Sequence, residues 1–193
     1  YNEMITHVPM ITHKNPRKVL IIGGGDCGAA KELTKYDELL EIDLVEIDEM
    51  VVEECINKLP EVSGNAHKDK RVNFIFQDGI QFIKGKKGVY DIVIVDSSDP
   101  IGPAEVLFTE EFYGLVRESL KEDGLMVCQS QSLIFQRDIL KGIRKILKNY
   151  FPIVETYMAT IPSYPGGMWS FTLASLKYNP LEGDLERLPS NTK

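Results

Sequence analysis

Lys18-Val19-Leu20-Ile21-Ile22-Gly23-Gly24-Gly25-Asp26-Cys27-Gly28 decides the fold class of this 193-residue chain. A short apolar, β-branched run stops abruptly at three glycines, which reads as a strand buried on both faces, as in a parallel sheet. Gly23, Gly25 and Gly28 keep the spacing G-x-G-x-x-G, and Ala29, Ala30 and Leu33 follow on one helix face. The same strand-then-helix order repeats downstream. Glu41–Ile47, Val72–Phe76, Tyr90–Val95 and Leu125–Gln129 read as strands. Cys27–Tyr36, Glu49–Leu59, Ile80–Lys84 and Arg137–Tyr150 read as helices, as does a segment capped by Thr109 and ending near Asp123-Gly124. Ile153–Ile161 and Trp169–Leu176 read as two closing strands. Residues 1–15 have helical spacing, while Glu61–Lys70 and Pro100–Leu107 read as loops. This alternation implies an α/β fold with a mainly parallel sheet and helices on both faces. Residues 1–177 read as one domain and residues 178–193 as a polar carboxy-terminal tail.

Composition narrows the function classes. With 43% hydrophobic and 26% charged residues, the chain has the balance of a soluble globular protein. No apolar run reaches the roughly 20 residues that span a bilayer, so no membrane partner is expected. Three widely spaced cysteines, Cys27, Cys55 and Cys128, argue for a reducing, cytoplasmic setting. There are 22 basic and 29 acidic residues, a net charge of −7. That disfavours nucleic acid, whose phosphates want a basic surface. It suits a cationic ligand without requiring one. His7, His13 and His67 lack ligand spacing and read as surface histidines, so no metal site is expected.

In an open α/β sheet the ligand lies at the carboxyl ends of the strands. The first strand ends in the glycine turn with Asp26, the second in Glu46, the third in Asp78-Gly79, and the fourth in Asp96 with Asp99 close behind. Any one of these acids could simply cap the next helix. Four strand ends in carboxylates at one edge is a different matter, because clustered like charges cost energy unless a cation joins them. The glycine turn with Glu46 about 20 residues on points to an adenosine-type ligand. NAD fits that description, but Asp26 is a poor neighbour for a pyrophosphate. A cationic sulfonium nucleoside or an amine fits it better. Asp96-Ser97-Ser98-Asp99-Pro100-Ile101-Gly102-Pro103 and Ile161-Pro162-Ser163-Tyr164-Pro165-Gly166-Gly167-Met168-Trp169 each set polar side chains beside a stiffened backbone, as preorganised pockets do.

Together with Tyr1-Asn2-Glu3-Met4, these segments resemble the polyamine aminopropyltransferases, specifically the spermidine synthases, from Tyr1 to about Lys177. The resemblance implies a Rossmann-like, class I methyltransferase-type fold with a seven-stranded sheet and a carboxy-terminal antiparallel pair. It implies transfer of the aminopropyl group of decarboxylated S-adenosylmethionine, a co-substrate rather than a prosthetic group, to putrescine. Spermidine and 5′-methylthioadenosine would be the products. Position by position, Gly23, Gly25, Asp26, Glu46, Asp78, Gly79 and Pro103 would bind the nucleoside. Asp96 would accept the proton. Tyr1, Asn2, Asp96, Ser97, Ser98, Asp99 and Tyr164 would surround the amine. Asn2 replaces the family's usual Gln or His, and Cys27 replaces a Gly. The family carries an amino-terminal β-sheet domain ahead of the Tyr1 motif, and its full-length members associate as homo-oligomers, dimers or tetramers. Residues 1–193 alone are therefore expected to be weakly active or inactive and poor at oligomerising. Two alternatives stand beside this reading: a class I methyltransferase using intact S-adenosylmethionine, and a non-catalytic polyamine or nucleoside binder.

Overall fold

A computed structural model of the chain describes residues 1–190 and Thr192. Seven strands form one sheet: β1 Lys18–Gly23, β2 Glu41–Glu46, β3 Val72–Phe76, β4 Tyr90–Asp96, β5 Leu120–Gln129, β6 Ile153–Thr160 and β7 Met168–Ser175. Their order is β3-β2-β1-β4-β5-β7-β6. The first five run parallel, and β7 pairs antiparallel with both β5 and β6. The expected mainly parallel sheet with a terminal antiparallel pair is therefore present.

Side-chain alternation along the central strands builds two cores. Val19 and Ile21 of β1 face one side with Ile5, Met10, Ala29 and Leu33. These come from α1 (Asn2–Thr12) and α2 (Gly28–Leu33). Leu20 and Ile22 face the other side with Phe112, Val116, Ile143 and Leu147. These come from α6 (Glu110–Ser119) and α7 (Arg137–Tyr150). Thr109 caps α6 by accepting from the Phe112 N–H at 3.3 Å. Two further helices, α3 (Glu49–Lys58) and α5 (Gly79–Ile83), come after β2 and β3.

Four local expectations are corrected. Residues 61–70 are not a plain loop: α4 spans Pro60–Ser63 and a 3₁₀ turn spans Ala66–Lys68. Pro60 at the first turn starts a new helix instead of only ending the old one. The Pro100–Leu107 loop contains a 3₁₀ helix over Gly102–Phe108. α6 stops at Ser119 rather than near Gly124. Leu120 pairs with Tyr90, and the ladder resumes at Leu125 opposite Ile92, so Lys121–Gly124 form an irregularity inside β5. His7 and His13 are buried, not on the surface. His7 lies between Tyr36 and Glu32, and His13 packs edge-on against Tyr178 with ring centroids 5.0 Å apart.

After Lys177 come two 3₁₀ turns, Pro180–Glu182 and Leu185–Arg187. This segment lies against the start of the chain: the Asp184 N–H donates to the Ile11 carbonyl at 3.0 Å, and Arg187 pairs with Glu38 at 3.0 Å. Among the described residues no helix is long and apolar enough to cross a membrane.

The β1–β4 ladder ends at the glycine turn. Gly23 pairs with Asp96 at φ +82°, and a Cβ there would stand 2.3 Å from the Asp96 carbonyl oxygen. Both the left-handed backbone and the contact exclude a side chain. Gly23→Ala is expected to lower unfolding free energy by on the order of 3 kcal/mol in urea titration. A loss below about 1 kcal/mol would contradict this role for the glycine.

Candidate active site

The carboxyl edge of β1, β2, β3 and β4 opens into a cavity of about 530 Å³. Its rim gathers the strand-end residues: Gly23, Gly25 and Asp26 from the glycine turn, Glu46, Asp78 with Gly79, and Asp96 with Ser97 and Ser98. Tyr1 and Tyr164 complete the polar side. Val45, Ile47, Val51, Ala104, Val106 and Leu107 add apolar lining. A second cavity of about 230 Å³ shares Tyr1, Ser97, Ser98 and Tyr164 with the first, and adds Asp99, Gln129, Pro165 and Trp169. The two spaces therefore share a wall beside Asp96.

Each acid is held by local bonding. Glu46 Oε1 accepts from the N–H groups of Ile47 at 2.8 Å and Asp48 at 3.3 Å. Asp78 caps α5, its Oδ1 accepting from the Gln81 N–H at 2.9 Å while the residue still lines the cavity. Capping and lining are thus combined in one side chain. Asp26 Oδ1 accepts from the Gly28 N–H at 2.8 Å, and Asn2 Nδ2 approaches its Oδ2 at 3.4 Å. Asn2 reaches that place because Gly28 leaves room: a Cβ there would stand 1.7 Å from Asn2 Nδ2. Asn2 Oδ1 is buried without a partner among the described residues.

Asp96 is the most perturbed of the acids. The Tyr1 hydroxyl donates to its Oδ1 at 2.6 Å. Burial pushes its carboxyl up to about 7; the Tyr1 bond pulls the other way, and the nearby Asp26 and Glu46 add to the rise. Tyr1 is held by rings on two sides, with centroids 5.2 Å to Phe171 and 5.7 Å to Tyr164. Burial first, then Asp96, raises its phenol well above the ordinary value. The Tyr164 phenol is also raised, by burial and then by Asp96, Asp26 and Asp99. Cys27, within the glycine turn, is buried and its thiol is pushed up to about 12, so it is no thiolate nucleophile at neutral pH.

Of the residues expected in the site, the cavities bring together all but Asn2, which sits behind Asp26, and Pro103, whose side chain lies outside the described residues. Trp169 closes the segment 161–169 expected to preorganise a pocket, whereas Gln129, Ala104, Val106 and Leu107 were not foreseen. Extending the strand-end rule to the fifth strand points to Gln129. Away from the site, Glu3, His7 and Glu32 come close enough to suggest a ligand set. Tyr36 and Glu32 already occupy both His7 nitrogens, and Lys35 pairs with Glu32 at 2.6 Å.

With this geometry in place, comparison with known proteins is direct. The spermine/spermidine synthase domain pattern matches residues 1–182. The chain belongs to that family. It is 48% identical over 188 residues to the polyamine aminopropyltransferase of Caldicellulosiruptor bescii, covering 97% of this chain and 67% of the relative. It is 47% identical over 189 residues to that of Moorella thermoacetica, covering 98% and 66%. Among solved structures, a spermidine synthase in complex with the transition-state analogue AdoDATO superposes with a TM-score of 0.95 at 36% identity, covering all of this chain and 67% of that one. Spermidine synthase from Thermotoga maritima superposes at 0.90 and 34% identity, covering 100% and 65%. The chain thus spans about two thirds of its relatives' length, and it is an aminopropyltransferase-family domain with their fold.

Asp96 also makes a stability signature. Its folded pKa of about 7 lies above the roughly 3.9 of an unfolded aspartate, so folding takes up a proton between those values. The stabilisation is complete below pH 4 and lost as pH rises through 7. In the unliganded protein, Asp96→Asn should match the parent near pH 4 and exceed it at pH 8 by about 2 kcal/mol, read by urea unfolding. A variant less stable than the parent at pH 8 would contradict this.

Proposed function

We propose that this domain transfers the aminopropyl group of decarboxylated S-adenosylmethionine to putrescine, yielding spermidine and 5′-methylthioadenosine, with Asp96 as the proton acceptor. Residues 1–177 supply the catalytic surface. The observation that carries the proposal is the placement of Asp96 beside the shared wall of two cavities, one on the scale of a nucleoside and one suited to a short aliphatic chain.

In the larger cavity the apolar lining takes the adenine, Asp78 accepts from its amino group, and Glu46 accepts from the ribose hydroxyls. Asp26 meets the ammonium end of the aminopropyl chain, with Asn2 Nδ2 approaching its Oδ2 from outside the cavity lining. In the smaller cavity Asp99, Tyr164 and the Ser97–Ser98 backbone surround the diamine. A primary amine has a pKa near 10.4, so it arrives protonated and cannot attack. An ionised carboxylate within reach takes that proton. The nitrogen lone pair then forms the N–C bond while the C–S bond breaks and its electrons return to sulfur, leaving a neutral thioether. Burial raises Asp96 toward 7, which makes it a better base, and an arriving cation favours its charged form.

Asp26 also accounts for the choice of donor. Intact S-adenosylmethionine would place a carboxylate against it, whereas the decarboxylated form presents only an ammonium. This separates the proposal from methyl transfer by the same fold.

The decisive assay supplies decarboxylated S-adenosylmethionine with a panel of amines and identifies products by mass. Spermidine from putrescine is expected, at a low rate from residues 1–193 alone, and Asp96→Asn should cut kcat/KM by about 100-fold or more. Methylated product from intact S-adenosylmethionine, or undiminished turnover in the variant, would refute the proposal.

A further inference from the structure

We propose that Gln129 is a positioning residue for the amine side of the site, holding Ser97–Asp99 in the shape that the acceptor meets; this rests on the transfer reaction proposed above. Gln129 ends β5, and only 3% of it is exposed. Its side chain lines the smaller cavity together with Ser98 and Asp99, and does not line the larger one.

Three contacts set its amide one way round. Oε1 accepts from the Gln131 N–H at 3.1 Å, a place only an oxygen can fill. Nε2 faces the carbonyl oxygens of Ser97 at 3.3 Å and Ser98 at 3.4 Å, a place only a donor can fill. The amide nitrogen thus donates to consecutive peptides of the segment that joins Asp96 to Asp99. Each bond is long, but together they tie β5 to the loop after β4 across the cavity wall.

The other end of the tie is strained. Gln131 adopts φ +71°, a left-handed conformation that is unfavourable for a non-glycine residue. That turn aims its N–H back at Gln129. Ser170 holds it, donating to the Gln131 carbonyl through its N–H at 3.1 Å and its hydroxyl at 2.8 Å. A strained residue persists only where its surroundings over-determine it. Here the bonds that do so run from β7 through Gln131 to Gln129 and end on the Ser97 and Ser98 carbonyls. Ser97 and Ser98 line both cavities, but Glu46 and Asp78 lie outside this chain of contacts, so its loss should weigh more on the amine than on the nucleoside.

Two variants test this. Gln129→Met keeps side-chain length and removes all three bonds. Gln129→Glu keeps the acceptor for Gln131 but sets a carboxylate oxygen against two carbonyl oxygens. Both should raise the acceptor KM about tenfold or more while the donor KM stays within about threefold. In the unliganded protein, amide hydrogen exchange at Ser97–Asp99 should quicken at least several-fold. An acceptor KM unchanged within about threefold, or donor and acceptor KM rising together with a lowered Tm, would overturn the role. Should the parent transfer to no amine, the proposed reaction fails; unchanged exchange at Ser97–Asp99 would then overturn this inference and quickened exchange would support it.

Discussion

The 2.6 Å bond from the Tyr1 hydroxyl to Asp96 joins the first residue of the chain to the end of its central strand, and the site is arranged around it. Asp96 has no freedom of its own. Its backbone pairs with Gly23, its carbonyl accepts from the Gly24 N–H at 2.9 Å, and its carboxyl lies in the wall of the larger cavity. Tyr1 is equally constrained, between Phe171 and Tyr164 at the head of α1, whose Met4 carbonyl accepts from the Tyr157 hydroxyl at 2.8 Å. Tyr1, Tyr157, Tyr164 and Phe171, far from Asp96 in sequence, thus meet around the bond to its carboxyl.

Placing an acid there is costly in the empty protein. Burial disfavours its charged form, and Asp26 and Glu46 lie near enough to disfavour it further. No lysine or arginine side chain among the described residues lines either cavity. The cavity is thus short of positive charge in the absence of a ligand. A sulfonium nucleoside and a protonated amine would together supply what the fold withholds, and both would meet oriented carboxylates rather than water. Part of the ligands' binding energy is in this sense already present as unrelieved electrostatic cost.

Much of this was legible in the sequence because it depends on local chemistry. The Val19–Ile22 run and the glycine spacing mark a parallel βα unit without any tertiary knowledge, and the strand-end rule then places Asp26, Glu46, Asp78 and Asp96 on one edge. What escaped depends on contacts between distant segments. His7 looks like a surface histidine until Glu32 and Tyr36, over 20 residues away, enclose it. The irregularity after Leu120 comes from pairing with Tyr90, which no periodicity in residues 120–125 encodes. Gln129 looks like an ordinary strand end, and its partners become visible only when β5 lies beside β4. The helical turn over Gly102–Phe108 was hidden by its glycine and proline, which signal a break in regular structure but do not encode the turn beyond it.

The most direct test is to titrate the Asp96 carboxyl by carbon-13 NMR in the unliganded protein, with Asp96→Asn identifying the resonance. A midpoint near 7, falling when a diamine and an unreactive nucleoside analogue are bound, is the expected result. A midpoint near the ordinary aspartate value of about 3.9 in the free protein would show that the carboxyl is neither buried nor crowded by its neighbours as described.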